Sequence, residues 1–139
     1  KKHEQPFKNT FMALQYRITK RSNSIKNNSE LYIMQAIHTG KMDTDELSEI
    51  ISSESSLSEA DIKAVLLSLG KKMQLYLQQG RVIELDAIGT FKMSFQCTAA
   101  DEPSKLKSPQ SIKKFHINYQ PSKKMKRLLK NGVPVLKEV

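Results

Sequence analysis

The sequence contains no tryptophan, a single cysteine and few aromatic residues, and each shortage limits what the chain can be. Cys97 alone cannot form an internal disulfide or a cysteine-based zinc site. Aromatic residues make up only 6% of the chain, so a core must consist mainly of Ile, Leu, Val and Met. Such a core is thin for a monomer, and dimerisation would help to fill it.

Long apolar runs and catalytic motifs are also missing. No stretch reaches the roughly 18 apolar residues that a membrane-spanning helix needs, and the first residues do not have the layout of a signal peptide. His3, His38 and His116 show no metal-ligand spacing, and no P-loop or glycine-rich nucleotide motif is present. We therefore predict a non-enzymatic, cytoplasmic protein that has no metal, cofactor, small-molecule substrate or membrane contact.

Charge is present in excess, and it is unevenly distributed. The chain has 23 Lys and Arg against 14 Asp and Glu, a net charge of +9. Residues 1–41 carry eight bases and two acids, residues 42–102 five bases and eleven acids, and residues 103–139 ten bases and one acid. The segment charges are thus +6, −6 and +9, which sum to the total. Two basic ends favour a polyanionic partner, and nucleic acid is the usual one in a cell.

The N-terminal part predicts a pair of strands. Residues 1–11 show no periodicity and are predicted to be a flexible tail. Apolar Leu14, Tyr16 and Ile18 then alternate with polar residues, which is typical of a half-buried strand. A polar loop is predicted at 21–30, and an apolar run at 31–37 indicates the second strand.

Capping patterns predict two helices after this pair. Asp43 with Glu46, and Ser58 with Asp61, have the spacing at which a side chain accepts a hydrogen bond from a free N–H of the first turn. Gly80 is the expected end of the second helix. The apolar faces of the two helices consist of Leu47, Ile50 and Ile51, and of Ile62, Val65, Leu66, Leu69, Met73, Tyr76 and Leu77.

The remaining chain alternates between strand and loop before a basic helix. Strand periodicity lies on both sides of Gly89, an isolated glycine that indicates a bend, a bulge or a close backbone approach. Residues 96–111 have no apolar period and are predicted to form a long, mobile, basic loop. A strand follows at 115–119, and Ser122 caps a short helix that ends at Gly132.

This order of elements resembles the HU and integration host factor family of bacterial DNA-bending proteins. Two segments carry the resemblance: residues 81–91 read RVIELDAIGTF, with the family's Gly-Thr-Phe turn, and residues 119–126 read YQPSKKMK, similar to the start of its last helix. Phe91 and Pro121 are thirty positions apart, close to the length of the family's arm. The N-terminal strand pair is similar to an elongated, HU-like branch of the family.

The resemblance implies an α+β fold: an HU/IHF-like intertwined dimer with a helical body, a saddle-shaped antiparallel β-sheet and protruding β-arms, plus the extra N-terminal strand pair. We predict a single HU-like domain at 12–139, divided into the strand extension (12–41), the helical dimerisation body (42–80), the sheet and β-arm (81–121) and the C-terminal helix (122–132). The predicted dimer interface contains Leu47, Ile51, Val65, Leu66, Leu69, Met73, Phe91 and Phe115.

The resemblance also implies a function. Such a protein is histone-like and nucleoid-associated, and it binds and bends or compacts double-stranded DNA with little sequence specificity. It works as a homodimer, or as a heterodimer with a paralogue. The family's Arg-Asn-Pro arm-tip signature is absent, which leaves Pro103 and Pro109 as candidate wedges. The predicted DNA-binding residues are Arg17, Lys20, Arg21, Lys92, Lys105, Lys107, Lys113, Lys114, Lys123, Lys124, Arg127 and Lys130.

Two other functions fit the same sequence. A single-stranded DNA or RNA-binding protein would combine the basic strands with exposed aromatic stacking platforms, at Tyr16, Tyr32 or Tyr119. A structural adaptor would use its helical face to bind another protein, and its basic ends would serve solubility alone.

Overall fold

The structure, a computed structural model, describes residues 13–22 and 30–139 of the chain. The predicted tail at 1–11 and most of the predicted loop at 21–30 lie outside the described residues. Within the described part, the fold is a mixed α+β arrangement of three helices and two three-stranded sheets. The elements are β1 (Leu14–Ser22), β2 (Glu30–Ile37), α1 (Thr44–Ser53), α2 (Glu59–Gln78), β3 (Ile83–Leu85), β4 (Gly89–Cys97), β5 (Ile112–Pro121), α3 (Lys123–Asn131) and β6 (Val135–Lys137).

The chain divides into two compact units. Residues 42–127 form one unit, which contains α1, α2 and the sheet of β3, β4 and β5. Residues 1–41 and 128–139 form the other, with the sheet of β1, β2 and β6. Among the described residues, no helix combines the length and the apolar composition needed to span a bilayer.

Both predicted helix caps are confirmed. Asp43 Oδ1 accepts a hydrogen bond of 2.9 Å from the Glu46 N–H, and Ser58 Oγ accepts one of 3.1 Å from the Asp61 N–H. Each bond satisfies a first-turn donor that has no partner inside the helix. The end of α2 at Gly80 is also confirmed, because this residue has a φ of 79°, which glycine adopts at little cost.

The helical body buries little apolar surface within one chain. Among the described residues, the buried apolar side chains are Ile62 and Leu77, which are 5% and 3% exposed. Lys63 Nζ and Asp45 Oδ1 lie 3.0 Å apart, which joins α2 to α1, and this hydrogen bond raises the pKa of Lys63. The ion pair is exposed, so it contributes little to stability. A core of this size agrees with the expectation that one chain alone buries few apolar side chains.

The sheet of the 42–127 unit is antiparallel throughout, in the order β3-β4-β5. The pairing of β4 with β5 continues to Cys97 and Ile112, with one irregularity next to Cys97. Because side chains alternate between the two faces of a strand, this register assigns polar residues to one face and aromatic residues to the other. The predicted alternation of β4 and β5 is therefore present in the structure.

Gly89 lies where β4 leaves a tight turn, and its neighbours come very close. A Cβ atom placed on this residue would lie 2.2 Å from the Gln120 carbonyl oxygen and 2.6 Å from Tyr119 Cε2. Its φ of 150° is also one that other residues rarely adopt. The prediction of a close backbone approach at this glycine is confirmed.

The second unit contains a strand that sequence analysis did not predict. β6 pairs with β1 in a parallel ladder from Leu14 opposite Val135 to Tyr16 opposite Lys137, while β2 pairs with β1 antiparallel. β6 has only three residues, and its partner lies more than a hundred residues earlier in the chain. No local periodicity indicates so short a strand.

Candidate nucleic-acid interface

One face of the β4–β5 ladder is polar and open. In the register, Thr90 faces Gln120, Lys92 faces Asn118, Ser94 faces His116, and Gln96 faces Lys114. We call these eight residues the polar sheet face. All of them are exposed or half-buried, and they include two lysines but no acid. The face therefore presents hydrogen-bond donors and two positive charges to solvent, and Glu84 of β3, opposite Thr90, lies beside it on the same side of the sheet.

A hydrogen-bonded group of three side chains occupies the middle of this face. Ser94 Oγ accepts a hydrogen bond of 3.0 Å from Asn118 Nδ2 and lies 2.7 Å from His116 Nε2. In the sequence His116 stands alone, because its partner Ser94 is 22 residues away. Only the strand register identifies the pair, and no sequence signal could have found it.

The loop between β4 and β5 differs from its prediction. Residues 98–111 contain two lysines and two acids, so the loop is neutral and not basic. It contains a short 3-10 helix at Pro103–Lys105 and is closed by a hydrogen bond of 2.9 Å from the Thr98 N–H to the Ser111 carbonyl. Lys105 Nζ lies 2.6 Å from Asp101 Oδ1, and this hydrogen bond lowers the pKa of Asp101. Lys105 is thus already paired with an acid.

The start of α3 is held by the turn between β3 and β4. The Ser122 N–H donates to the Ile88 carbonyl over 3.1 Å, and Ser122 Oγ lies 3.3 Å from the Ala87 carbonyl. The Tyr119 hydroxyl also donates to the Ile88 carbonyl over 2.8 Å. The Met125 N–H donates to Ser122 Oγ over 3.3 Å, which confirms the predicted cap. These bonds fix the position of the first turn of α3, and with it the position of the basic side chains on that turn.

A cavity of about 400 Å³ lies beside the first turns of α3. Its lining includes Lys123, Lys124 and Arg127, together with the acids Glu84 and Asp86. Three of the predicted DNA-binding residues therefore share one site, next to N–H groups that can bind an anion. The two acids reduce the positive potential of this site.

The predicted basic residues of β1 lie in the other unit, where two of them are paired with acids. Arg17 donates to both carboxylate oxygens of Glu138 over 2.9 Å, and these hydrogen bonds raise the pKa of Arg17. Lys20 forms an ion pair with Glu30. Arg21 is exposed. The positive charge that Arg17 and Lys20 offer to a ligand is therefore reduced.

The opposite face of the β4–β5 ladder is aromatic. The ring centroids of Phe91 and Tyr119 lie 5.1 Å apart, and those of Phe95 and Phe115 lie 6.1 Å apart. The register places these four side chains on one face, but Phe95, Phe115 and Tyr119 are exposed within the single chain. Of the predicted interface residues, Leu66, Leu69, Met73 and Phe91 are half-buried, and Leu47, Ile51, Val65 and Phe115 are exposed.

Two of the three tyrosines named as stacking platforms are solvent-exposed. Tyr32 is 64% exposed and Tyr119 is 47% exposed, whereas Tyr16 is half-buried. Because the Tyr119 ring packs against Phe91 and its hydroxyl is hydrogen-bonded, Tyr32 is the more accessible platform.

Comparisons with known proteins give one family match and one solved structure of similar fold. The family model described as "HU domain fused to wHTH, Ig, or Glycine-rich motif" matches residues 12–135. Among solved structures, the chain is similar to a protein from Bacteroides vulgatus described as a candidate bacterial DNA-binding protein, with a TM-score of 0.64 and 12% sequence identity. The similarity covers 92% of this chain and 50% of that structure, so the chain spans half the length of its neighbour. No curated protein matches the sequence.

Proposed function

This chain belongs to the family of HU domains fused to a winged helix-turn-helix, Ig or glycine-rich motif, and on that premise we propose that it is a histone-like architectural protein. It binds double-stranded DNA with little sequence specificity, bends or compacts it, and is associated with the nucleoid. Residues 12–139 act as one HU-like binding domain. No catalytic step is part of the proposal.

The polar sheet face is the observation that carries this proposal. It combines Lys92 and Lys114 with uncharged donors such as Asn118, and it contains no acid. Such groups bind phosphate oxygens well but carry little information about base sequence. The neighbouring α3 cavity, with Lys123 and Lys124, adds further phosphate ligands. Affinity without strong sequence preference follows from this composition.

A homodimer is the proposed active form. The aromatic sheet face and α2 leave apolar side chains in solvent, with Val65 and Phe115 each 62% exposed. A cavity of about 410 Å³ lies between them, lined by Gly70, Met73, Leu77 and Phe91 among others. Burial of such surface is the main driving force for association. A second copy of the chain would fill this cavity and complete the core.

Loss of a lysine from the polar sheet face is expected to weaken duplex binding. We expect K92A and K114A each to lower affinity for every duplex sequence and to reduce the slope of log affinity against log salt by about 1, as for one lost phosphate contact. Fluorescence anisotropy with a labelled duplex at several salt concentrations measures both quantities. K72A is the matched control, because it removes an exposed lysine from α2 and should leave the slope unchanged.

A competition experiment separates this function from the single-strand alternative. Unlabelled duplex should displace the labelled duplex better than single-stranded DNA or RNA of equal length. If single strands compete better, and Y32A abolishes that advantage, stacking on Tyr32 carries binding and the duplex proposal is wrong.

Removing the acid that pairs with Lys105 is expected to strengthen duplex binding. D101N eliminates a negative charge from the β4–β5 loop and also frees Lys105 Nζ for a phosphate, so we expect a severalfold gain in affinity at low salt. E102Q is the control, because it removes the same charge without releasing a paired lysine. Equal affinities of D101N and E102Q would indicate that Lys105 does not contact DNA.

The ion pair between Lys105 and Asp101 depends on pH, and the direction of that dependence follows from the lowered pKa of Asp101. Because the pKa of Asp101 lies below its ordinary value of 3.8, the Lys105–Asp101 pair is complete above pH 3.8 and is lost as the pH falls through the lowered pKa. Near neutral pH, the wild-type loop therefore keeps Lys105 paired.

A further inference from the structure

β2 forms an outer edge of the β2-β1-β6 sheet. Within residues 13–22 and 30–139, its backbone hydrogen bonds are those of the ladder with β1. An edge strand has a row of N–H and C=O groups that point away from the sheet, and another strand can pair with them. As far as the described residues go, the outer side of β2 is therefore open to pairing with a further strand.

This edge does not have the features that normally prevent strand pairing. β2 reads ELYIMQAI and contains no proline, lysine or arginine. Its one charged residue, Glu30, is at the end of the strand and is paired with Lys20. The β1–β2 register continues from Gln15 opposite Ile37 to Ser22 opposite Glu30 without a bulge. Natural edge strands are usually shortened, bulged or charged, and β2 is none of these.

The side chains of β2 are apolar on both faces and open to solvent. Leu31, Tyr32, Ile33 and Met34 follow one another in sequence, and their exposed fractions are 50%, 64%, 41% and 63%. Four consecutive exposed apolar residues are unusual unless the surface has a function. Exposed fractions of this size on both faces indicate a surface that a partner covers.

We propose that β2 pairs antiparallel with β2 of a second copy of this chain, about a twofold axis at Ile33 or Met34, to form one continuous six-stranded sheet. With the axis at Ile33, Tyr32 lies opposite the partner's Met34, and Glu30 lies opposite the partner's Ala36. The first pairing brings an aromatic ring to a thioether, a favourable contact. No two acids meet in this arrangement.

Charge also favours a copy of this chain over a different occupant. Glu30 is the one charged residue of β2, and it is already paired with Lys20. A strongly basic or acidic strand would therefore gain no ion pair along this edge. A neutral apolar strand fits, and β2 itself is one. The pairing is in the unit formed by residues 1–41 and 128–139, whereas the homodimer surface proposed above is in the 42–127 unit. Chains that use both surfaces would assemble beyond the dimer.

Disulfide trapping tests the pairing directly. In a C97S background, which removes the exposed native cysteine, oxidation of I33C or M34C should give a covalent dimer in at least one case, because one position lies opposite itself. The matched control is Q35C, which lies on the same edge but opposite a different residue in either register. If neither I33C nor M34C forms a disulfide-linked dimer, or Q35C crosslinks equally well, the proposal is overturned.

A second measurement uses charge at the same edge. One of I33K and M34K places two lysines directly opposite each other at the axis, and the other places them two positions apart. For each variant, sedimentation of the full chain should give about half the wild-type mass at equal concentration. Equal masses for wild type and both variants would also overturn the proposal. Duplex affinity, measured on the same samples at high dilution, should change less than twofold. Loss of duplex binding in wild type itself would instead contradict the proposed function and leave the strand pairing intact.

Discussion

Duplex affinity is expected to fall by about a thousandfold when salt rises from 50 to 200 mM, as for about six phosphate contacts. The polar sheet face and the α3 cavity supply five basic candidates per chain, which are Lys92, Lys114, Lys123, Lys124 and Arg127. A dimer offers twice that number, so six simultaneous contacts need only part of them. Each contact releases condensed counterions from DNA, which makes the log–log plot linear with a slope of about −5.

Titration of one labelled duplex at five or more salt concentrations measures this slope. An uncharged osmolyte at equal osmolality is the control, and it should leave affinity almost unchanged because it does not compete for phosphates. A second duplex of different sequence should give the same slope and a similar affinity. A flat plot, or a difference of orders of magnitude between the two duplexes, would contradict binding through phosphate neutralisation. No binding at any salt concentration would favour the adaptor function.

Alanine at Gly89 is expected to destabilise the fold by more than about 4 kcal/mol, which places it among the severe single substitutions. The new Cβ atom would lie 2.2 Å from the Gln120 carbonyl oxygen, a backbone atom that cannot rotate away. This clash can be relieved only if β4 and the end of β5 separate. Because Ser122 is the residue directly after β5, the start of α3 would move as well.

Urea unfolding followed by circular dichroism measures the loss, at one protein concentration because a dimer's stability depends on concentration. G80A is the matched control: Gly80 has a φ of 79°, but among the described residues, its chain neighbours aside, no atom lies within 4 Å of the position that a Cβ would occupy there. It should cost only about 1–2 kcal/mol, the penalty for a left-handed backbone. Similar losses for G89A and G80A would show that backbone conformation, and not the close approach, determines the effect at Gly89.

Some parts of the fold could be predicted because their causes are local. Asp43 and Ser58 each cap a helix through a group three residues away, and Gly80 ends α2 through its own backbone freedom. The alternation along β4 likewise separates polar from aromatic residues in sequence alone. These predictions required no knowledge of the partner elements.

Other parts depended on contacts between distant residues. Ser94 and His116 meet only because β4 and β5 pair in one register, and β6 is a strand only because β1 lies beside it. Lys105 is predicted from sequence to contact DNA, but the loop conformation brings it to Asp101. Arg17 likewise pairs with Glu138, which is 121 residues away.

The sequence by itself determined the segregated charge, the helix caps, the strand periodicity and the resemblance to HU proteins, because composition, short-range spacing and ordered motifs are properties of the chain alone. The tertiary structure decided which charges remain available, which residues share a face, and which strand is left at an edge. Those properties depend on strand register and on ion pairs between distant residues, and both are established only when the chain folds.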